Sequence, residues 1–330
     1  TVLHGVVAAH RERRGHVPHI VMSAIEHKSL LDMAKSYESR GIAAVTFVKP
    51  TPSGHIRPED VAAAILPHTC LVCVMHANNE TGAINDVAGI ATVAHQRGVA
   101  FHCDTVQTFG KGLCADIVPH VDSFCVSFHK LHGPPGVGAL IIRQELLDGY
   151  KMPPLIFGTQ CGGMRGGTEN LPGIGAAAAA TTLTMTSRTG KNTQLSRRKQ
   201  MVMTGLAAQI RSMRYTEYVR GGASTGTMIV FMSASSEYYL CNTILLSVVN
   251  SSKEVCNVRL KEALEAAGVV VSVGSACNTA SSTASHVLYA MGADDAVRRG
   301  ALRISLGDDT TDDQLATFVR VFIAIIKKQV

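Results

Sequence analysis

The sequence has 330 residues, of which 46% are hydrophobic and 17% are charged, so it predicts a globular chain with a sizeable core and about two domains. No apolar run approaches the roughly 20 residues that a membrane-spanning helix needs, so no membrane role is predicted. The net charge is +6, but aromatic residues make up only 5% and do not interleave with a basic stripe, which disfavours a nucleic-acid partner and leaves room for an anionic ligand.

The first residues have the apolar spacing of a helix, at Val2, Leu3, Val6 and Val7, with no capping residue before them. We therefore expect that the chain lacks its natural N-terminal part and that any targeting segment precedes residue 1.

In the first half, short apolar strands alternate with amphipathic helices. This order predicts an α/β fold with a largely parallel sheet covered on both faces, in which ligands bind at the carboxyl ends of the strands. Strands are predicted at residues 19–23, 43–48, 70–76, 99–104, 123–127 and 139–143, and helices at 29–40, 58–65 and 87–97.

An alanine-rich helix is predicted at 172–187, and the polar stretch 188–192 predicts a domain boundary near residue 190. Residues 1–190 then form a larger domain and residues 191–330 a smaller C-terminal α/β domain. The smaller domain is predicted to contain strands at 228–232, 269–273 and 301–305 and helices at 200–213, 258–267, 284–291 and 311–330.

The nine cysteines are odd in number and lack the dense spacing of a disulfide framework, which favours a reducing, intracellular compartment. Cys70 and Cys73 form a C-x-x-C pair inside an apolar run, so we interpret them as buried core thiols. Cys277 differs from both because it lies in GSACNTASST, a stretch of small residues with nothing that could pack around a thiol.

Polar residues follow three predicted strands, in MHANNETG, FHCDTVQ and SFHKLHGPPGVG. Lys130 at a strand end is a candidate amine nucleophile, Asp104 needs a partner if it is buried, and Ser127 and His129 can donate to an anion. Pyridoxal phosphate uses these groups, namely a lysine for its aldehyde, a carboxylate for its ring nitrogen and donors for its phosphate. A structural Asp–Lys ion pair explains the same spacing, and the spacing alone leaves both open.

A zinc site is the competing chemical interpretation, because His129, His132, His102 and Cys103 offer ligand atoms. Lys130 lies inside the H-x-x-H pair and two prolines follow at once, which argues against two ligands on one helical face. No metal is predicted.

Seven motifs in order resemble the NifS-type cysteine desulfurases and selenocysteine lyases, and the resemblance runs from residue 1 to near 325. That family implies a homodimeric pyridoxal-phosphate enzyme of fold type I, with a mostly parallel seven-stranded sheet in its large domain. The motifs are EHKS at 26–29, HANNETG at 76–82, DTVQ at 104–107, SFHKLHGPPGVG at 127–138, RGGTEN at 165–170, GSAC at 274–277 and LRISLG at 302–307.

The resemblance implies a role for each cofactor-facing residue. Lys130 would bind the cofactor aldehyde, Asp104 would keep the ring nitrogen protonated, and Gln107 would contact the ring oxygen. His27 would stack on the ring and move protons. Ser127 and His129 would bind the phosphate, as would Thr168 from the partner subunit.

The substrate carboxylate would be held by Arg303 and by Asn79, which is also counted among the cofactor contacts; a planar guanidinium suits a carboxylate. Taken singly, Asn79 could be a turn residue, Thr168 a helix N-cap and Arg303 a surface cation. The ordered set of motifs overrides these alternatives.

Cys277 would be the nucleophile, taking sulfur or selenium from L-cysteine or L-selenocysteine and leaving L-alanine. The product would supply a sulfur-acceptor protein, in iron–sulfur cluster assembly, tRNA thiolation or selenium metabolism, in the cytoplasm or mitochondria. Two alternatives are kept: a cofactor-free scaffold subunit of a sulfur-transfer complex, and an aminotransferase of the same fold.

The sequence departs from the family pattern in three places. A phosphate-binding loop is expected before residue 1, so cofactor retention by this chain is open. Cys161 and Gly162 replace a usual Glu-Arg, and Asp308 and Asp309 add negative charge after LRISLG. The choice between sulfur and selenium is open too, because HANNETG and LRISLG resemble the lyases whereas EHKS and GSAC resemble the desulfurases.

Overall fold

A computed structural model describes residues 1–111, 116–221, 225–273 and 285–329. The chain forms two compact units. Unit 1 contains Thr1–Lys49, Ile56–Ala77 and Asn85–Arg188, and unit 2 contains Pro50–His55, Asn78–Ile84 and Thr189–Val330. The main division lies at residues 188 and 189, and two short segments assigned to the first domain from sequence belong to unit 2.

Unit 1 is built on a six-stranded sheet of order β2-β1-β3-β4-β5-β6. Its strands pair in parallel except for β5 and β6, which are antiparallel. The described residues thus contain six strands in this sheet where seven were expected. The strands are β1 (His19–Ser23), β2 (Ala44–Val48), β3 (Thr69–Cys73), β4 (Ala100–Asp104), β5 (Ser123–Ser127) and β6 (Gly138–Ile142).

Continuous apolar sequence explains the central strands, because every residue of β1 and of β3 is buried. Cys70 and Cys73 lie in β3 as free, buried thiols, and burial raises the pKa of Cys70 to about 12, which confirms them as core residues. The covering helices are α1 (Val2–Arg14), α2 (Lys28–Ser39), α3 (Pro58–Ala64), α4 (Val87–His95) and α5 (Gln144–Tyr150), of which α5 was not predicted.

Helix α6 (Leu171–Ala207) is a single helix of 37 residues. The prediction of one helix ending at 187 and another at 200–213 is therefore wrong. The polar stretch around Gly190 suggested a break, but glycine inside a helix costs only about 1 kcal/mol. Leu195, Val202 and Leu206 bury apolar side chains in the core of unit 2, which offsets that cost.

Unit 2 has a four-stranded sheet of order β10-β9-β8-β7, with β7 and β8 parallel and the other pairs antiparallel. Strand β9 was not predicted, although seven of its eight residues are buried. The predicted strand 269–273 is reduced to a single bridge between Ser272 and Arg303. The elements are β7 (Ser212–Arg214), α7 (Tyr215–Tyr218), β8 (Thr227–Phe231), β9 (Thr243–Asn250), α8 (Asn257–Ala266), α9 (His286–Ala290), α10 (Asp295–Arg299), β10 (Ala301–Ser305) and α11 (Asp312–Gln329).

None of the helices in the described part of the chain combines the length and apolar character needed to cross a membrane.

Candidate active site

Asp104 is the last residue of β4, at the carboxyl end of the parallel sheet of unit 1. Its Oδ1 accepts a hydrogen bond from the backbone N–H of Val106 at 2.8 Å, so the turn after the strand fixes the carboxyl group. Burial raises the pKa of Asp104, and the Val106 hydrogen bond and the positive charge of His27 partly oppose that rise. The group is thus placed to pair with a cationic N–H.

Gln107 lies in the turn that continues from Asp104. Thr105 anchors this turn, because its Oγ1 donates to the carbonyl of Cys125 on the neighbouring strand at 2.8 Å and its own carbonyl accepts from the N–H of Thr108 at 2.9 Å. The Gln107 carbonyl accepts from Lys111 Nζ at 2.8 Å. The turn keeps the half-buried Gln107 beside the end of β4.

Ser127, His129 and Lys130 lie at the end of β5, the parallel neighbour of β4. In the register of the two strands Asp104 is opposite Cys125, so Ser127 ends its strand two residues further on. A short 3₁₀ turn at Phe128–Leu131 then carries His129 and Lys130, both exposed. His129 Nδ1 and Ser127 Oγ are hydrogen-bonded at 2.8 Å, which groups a hydroxyl and an imidazole beside the lysine amine.

Gly133 fixes the shape of the turn that carries Lys130. Its N–H donates to the carbonyl of Phe128 at 2.9 Å, and a Cβ added there would lie 2.8 Å from that same oxygen. His132 precedes it in the left-handed region, at φ 66°. The glycine of the HGPPG stretch is therefore required by close approach of the backbone.

His27 is the N-cap of α2. Its Nδ1 accepts from the backbone N–H of Ser29 at 3.2 Å and lies 2.9 Å from the Ser29 hydroxyl. In the neutral ring the proton is therefore on Nε2, and the ring is exposed. His27 lies close enough to Asp104 for its charge to lower the pKa of that carboxyl group.

Thr168 lies exposed in the segment before α6. Asn170, rather than Thr168, caps that helix, since its Oδ1 accepts from the N–H of Gly173 at 3.1 Å. The alternative of Thr168 as an N-cap is therefore wrong. Its contact with the cofactor of a partner subunit stays a prediction.

Asn79 and Arg303 come together in unit 2. Arg303, on β10, donates from Nη1 to the backbone carbonyl of Asn79 at 2.9 Å. Arg303 Nε is buried and has no hydrogen-bond partner among the described residues. The hydrogen bond turns the guanidinium toward the NNETG segment, and the unused buried N–H of Nε can donate to one oxygen of a carboxylate.

Proteins similar to this chain are known among sequence families and solved structures. The family model for aminotransferase class-V matches residues 6–318. The cysteine desulfurase IscS of Anaeromyxobacter dehalogenans is 32% identical over 317 residues, which cover 94% of this chain and 70% of that protein. A cysteine desulfurase of Nostoc is 32% identical over 314 residues, covering 94% of this chain and 71% of that protein.

A solved NifS-like protein superposes with a TM-score of 0.79 at 28% identity, covering 98% of this chain and 78% of that one. The chain belongs to the NifS-type cysteine desulfurase family. A second solved relative, DndA of Streptomyces lividans, has a TM-score of 0.70 at 31% identity over 92% of this chain and 78% of that one. The predicted family and the fold type I architecture are confirmed, apart from the number of strands.

Members of this desulfurase family depend on pyridoxal 5′-phosphate, and the donor set of unit 1 fits that group. Lys130 supplies an exposed primary amine, Asp104 a carboxyl group at the adjacent strand end, and Ser127 with His129 a hydroxyl and an imidazole for an anion. When bound, the cofactor would supply an electron sink for cleavage at the substrate carbon next to the amine. The individual residue roles stay predictions.

Glu26 precedes His27 and is fully buried, and it is a site residue that the sequence patterns did not predict. Burial raises its pKa to about 8, and the Asp104 charge adds to the rise, while hydrogen bonds from Ser23 and Met75 oppose it. The Met75 N–H donates to Glu26 Oε1 at 2.7 Å, and the Ser23 hydroxyl donates to the same oxygen. The available signal was an acid that continues the apolar stretch three residues after the end of β1.

Cys277, Asp308 and Cys161 were also singled out in the sequence. Cys277, with the whole stretch 274–284, lies outside the described residues. Asp308 forms an ion pair with Lys191 at 2.8 Å, which neutralises part of the negative charge noted there. Cys161 takes a left-handed conformation at φ 48°, and its thiol lies 3.7 Å from Glu169.

The residues considered as zinc ligands lie in different environments. His102 is buried and bonded to Ser123 at 2.9 Å, and burial lowers its pKa to about 4, whereas His129 is exposed. In the part of the chain that the structure describes, His, Cys, Asp and Glu form no group of three or more suited to a metal ion.

Proposed function

We propose that this protein removes sulfur from L-cysteine, giving L-alanine and a persulfide on Cys277. The observation that carries the proposal is the parallel register of β4 and β5. Asp104 pairs with Cys125, and Lys130 follows only five residues after Cys125, so a carboxyl group and an amine emerge at the same sheet edge.

In this proposal Asp104 binds the protonated ring nitrogen of the cofactor and Lys130 binds its aldehyde carbon. Ser127 and His129 donate to the phosphate. His27 Nε2 gives and takes the protons of the reaction, because its Nδ1 is engaged with Ser29. His27 thus acts through the ring nitrogen that its contacts with Ser29 leave available.

Arg303 and Asn79 bind the substrate carboxylate. The buried Nε of Arg303 has no hydrogen-bond acceptor among the described residues, whereas Nη1 donates to the backbone carbonyl of Asn79. A carboxylate oxygen that accepts a hydrogen bond from Nε removes the free-energy cost of this buried unpaired donor. The same hydrogen bond orients the substrate and stabilises the site.

Cys277 then attacks the substrate sulfur as a thiolate. A bond forms between the two sulfur atoms and the bond between Cβ and sulfur breaks, with its electron pair left on the carbon fragment. That fragment takes up protons and leaves as alanine, while Cys277 keeps the sulfur. The small residues around Cys277 suit a thiol that must reach the substrate and then an acceptor protein.

L-Selenocysteine is a second substrate under this proposal, since selenium can follow the same bond changes. Assay of both amino acids side by side, with alanine as the common product, decides the preference. We further propose a homodimer that hands sulfur to an acceptor protein.

The first experiment replaces Lys130. In Lys130→Ala the visible absorbance of the lysine-bound cofactor should vanish, and alanine formation should fall to background. Lys35→Ala, on the exposed face of α2, is the matched control and should keep both. A retained absorbance band in Lys130→Ala would remove that lysine from its role.

The second experiment replaces Cys277. Cys277→Ser should bind L-cysteine and change the cofactor absorbance yet form no persulfide, whereas Cys256→Ser, an exposed cysteine at the start of α8, should behave as the parent. A protein that never binds the cofactor but associates with acceptor proteins would favour the scaffold alternative. A keto-acid product in place of alanine would favour the aminotransferase.

A further inference from the structure

A basic cavity in unit 1 lies outside the proposed active-site residues. Its volume is about 320 Å³, and none of the described residues that line it is an aspartate or a glutamate. Its basic side chains come from the end of α1 and the residues after it, from the turn before β3 and from the turn after α4. They are His10, Arg13, Arg14, His16, His68 and Arg97.

The arginines of this basic cavity have different local roles. Arg13 donates to the backbone carbonyl of Gly149, which ties it to the wall. Arg14 and Arg97 are exposed and form no ion pair with an acid in the described parts of the chain. Charges gathered in a concave wall without counter-charges repel one another, and a bound anion relieves that repulsion.

The histidines form a row of rings along the cavity. His10 and His16 are stacked with centroids 5.2 Å apart, and His16 meets His68 edge-on at 6.1 Å. His10 Nε2 is buried with no hydrogen-bond partner among the described residues. A buried ring nitrogen without a partner is costly, and a ligand oxygen would supply one.

The helix end explains part of this composition but not all of it. Basic residues in the last turn of a helix interact favourably with its free carbonyl groups, which accounts for Arg13 and Arg14 on α1. It does not account for His68 and Arg97, which come from other elements, or for the unsatisfied nitrogen of His10.

We propose that this basic cavity binds an oligophosphate, that is, two or more linked phosphate groups, either free or carried by a nucleotide. Planar guanidinium groups match phosphate oxygens in pairs. The three guanidinium groups come from two elements, Arg13 and Arg14 from the end of α1 and Arg97 from the turn after α4, which suits charge spread over several linked phosphates better than a single one. The proposal is independent of the desulfurase function.

The binding test uses the whole protein and inorganic tripolyphosphate, titrated calorimetrically beside pyrophosphate and orthophosphate. Affinity should rise with the number of phosphates. Loss of one charged hydrogen bond predicts a weakening of about tenfold to hundredfold in Arg14→Gln and in Arg97→Gln. Arg11→Gln is the matched control, because Arg11 is an exposed arginine on α1 that does not line the cavity.

Proton uptake gives a second readout. Burial lowers the pKa of His10, and the positive charges of His16, Arg14 and His68 lower it further. A bound anion favours the charged ring, so affinity should rise as the pH falls from about 7.5 to about 6, near the ordinary histidine pKa. Titration in two buffers of different ionisation enthalpy should reveal proton uptake, which His10→Gln should reduce.

Several results would overturn the proposal. They are the absence of saturable binding at millimolar tripolyphosphate, an equal loss of affinity in Arg11→Gln, and proton uptake unchanged in His10→Gln. Circular dichroism melting of each variant checks that the fold is kept, and tripolyphosphate should raise the melting temperature of the parent more than that of Arg14→Gln. Tighter binding of ATP than of tripolyphosphate identifies a nucleotide as the source, and the reverse identifies a free oligophosphate.

Discussion

Replacing Glu26 by glutamine should change how the stability of the fold depends on pH. Glu26 is fully buried, and its pKa is raised from 4.5 to about 8, chiefly by burial. The unfolded chain ionises this group at lower pH than the folded one. The contribution of Glu26 to stability is therefore fully present below pH 4.5 and is lost progressively as the pH rises toward 8.

The magnitude follows from linkage. Each pH unit between the two pKa values costs about 1.4 kcal/mol, so the loss between pH 6 and pH 8 amounts to roughly 3 kcal/mol. Glutamine keeps the Oε1 acceptor used by Ser23 and Met75 but cannot ionise. Glu26→Gln should remove that part of the pH dependence and be the more stable protein at pH 8.

The assay is urea unfolding of parent and variant at pH 6, 7 and 8, at one protein concentration. The difference between the two proteins cancels the other titrating groups that they share. Glu38→Gln, an exposed glutamate on α2, is the control and should follow the parent at every pH. Parallel curves for the parent and Glu26→Gln across this range would refute the reasoning.

Three further variants test the site. Arg303→Lys keeps the charge but loses the planar fork, so KM for L-cysteine should rise about tenfold to hundredfold in steady-state kinetics, with a smaller change in kcat. Asp104→Asn should lower alanine formation by at least about a hundredfold while the visible cofactor absorbance persists; unaltered turnover would contradict its role. Gly133→Ala should weaken that absorbance and lower the melting temperature, because its Cβ would lie 2.8 Å from the Phe128 carbonyl, whereas Gly149→Ala meets nothing within 4 Å and should leave both unchanged.

Most of unit 1 could be predicted from the sequence because its strands are short apolar runs and its helices are amphipathic. Strand β9 of unit 2 escaped prediction because TILLSVVN has no alternation, and such a run fits a buried helix segment as well as a strand. Helix α6 was divided in two because its polar middle has weak helix formers, and only the tertiary burial of Leu195 and Val202 shows that it continues.

The candidate site was predicted at the strand ends, where sequence order alone places polar residues. Glu26 was missed because its altered pKa depends on burial and on neighbours distant in sequence, Met75 after β3 and Asp104 at the end of β4. The basic cavity was missed for the same reason. The sequence shows Arg13 and Arg14 as a cluster, but His68 and Arg97 join them only through the fold.

The pairing of β4 with β5 makes the segment between Cys125 and Lys130 less tolerant of insertions and deletions than the turn between α4 and β4. One residue added between Cys125 and Lys130 would displace the amine along the sheet by about 3.3 Å. A one-residue slip of the ladder would turn Asp104 to the opposite face. Residues added in the turn between α4 and β4 leave the ladder pairs intact. In natural variants of this chain, length changes should therefore accumulate in such turns and be absent between residues 125 and 130.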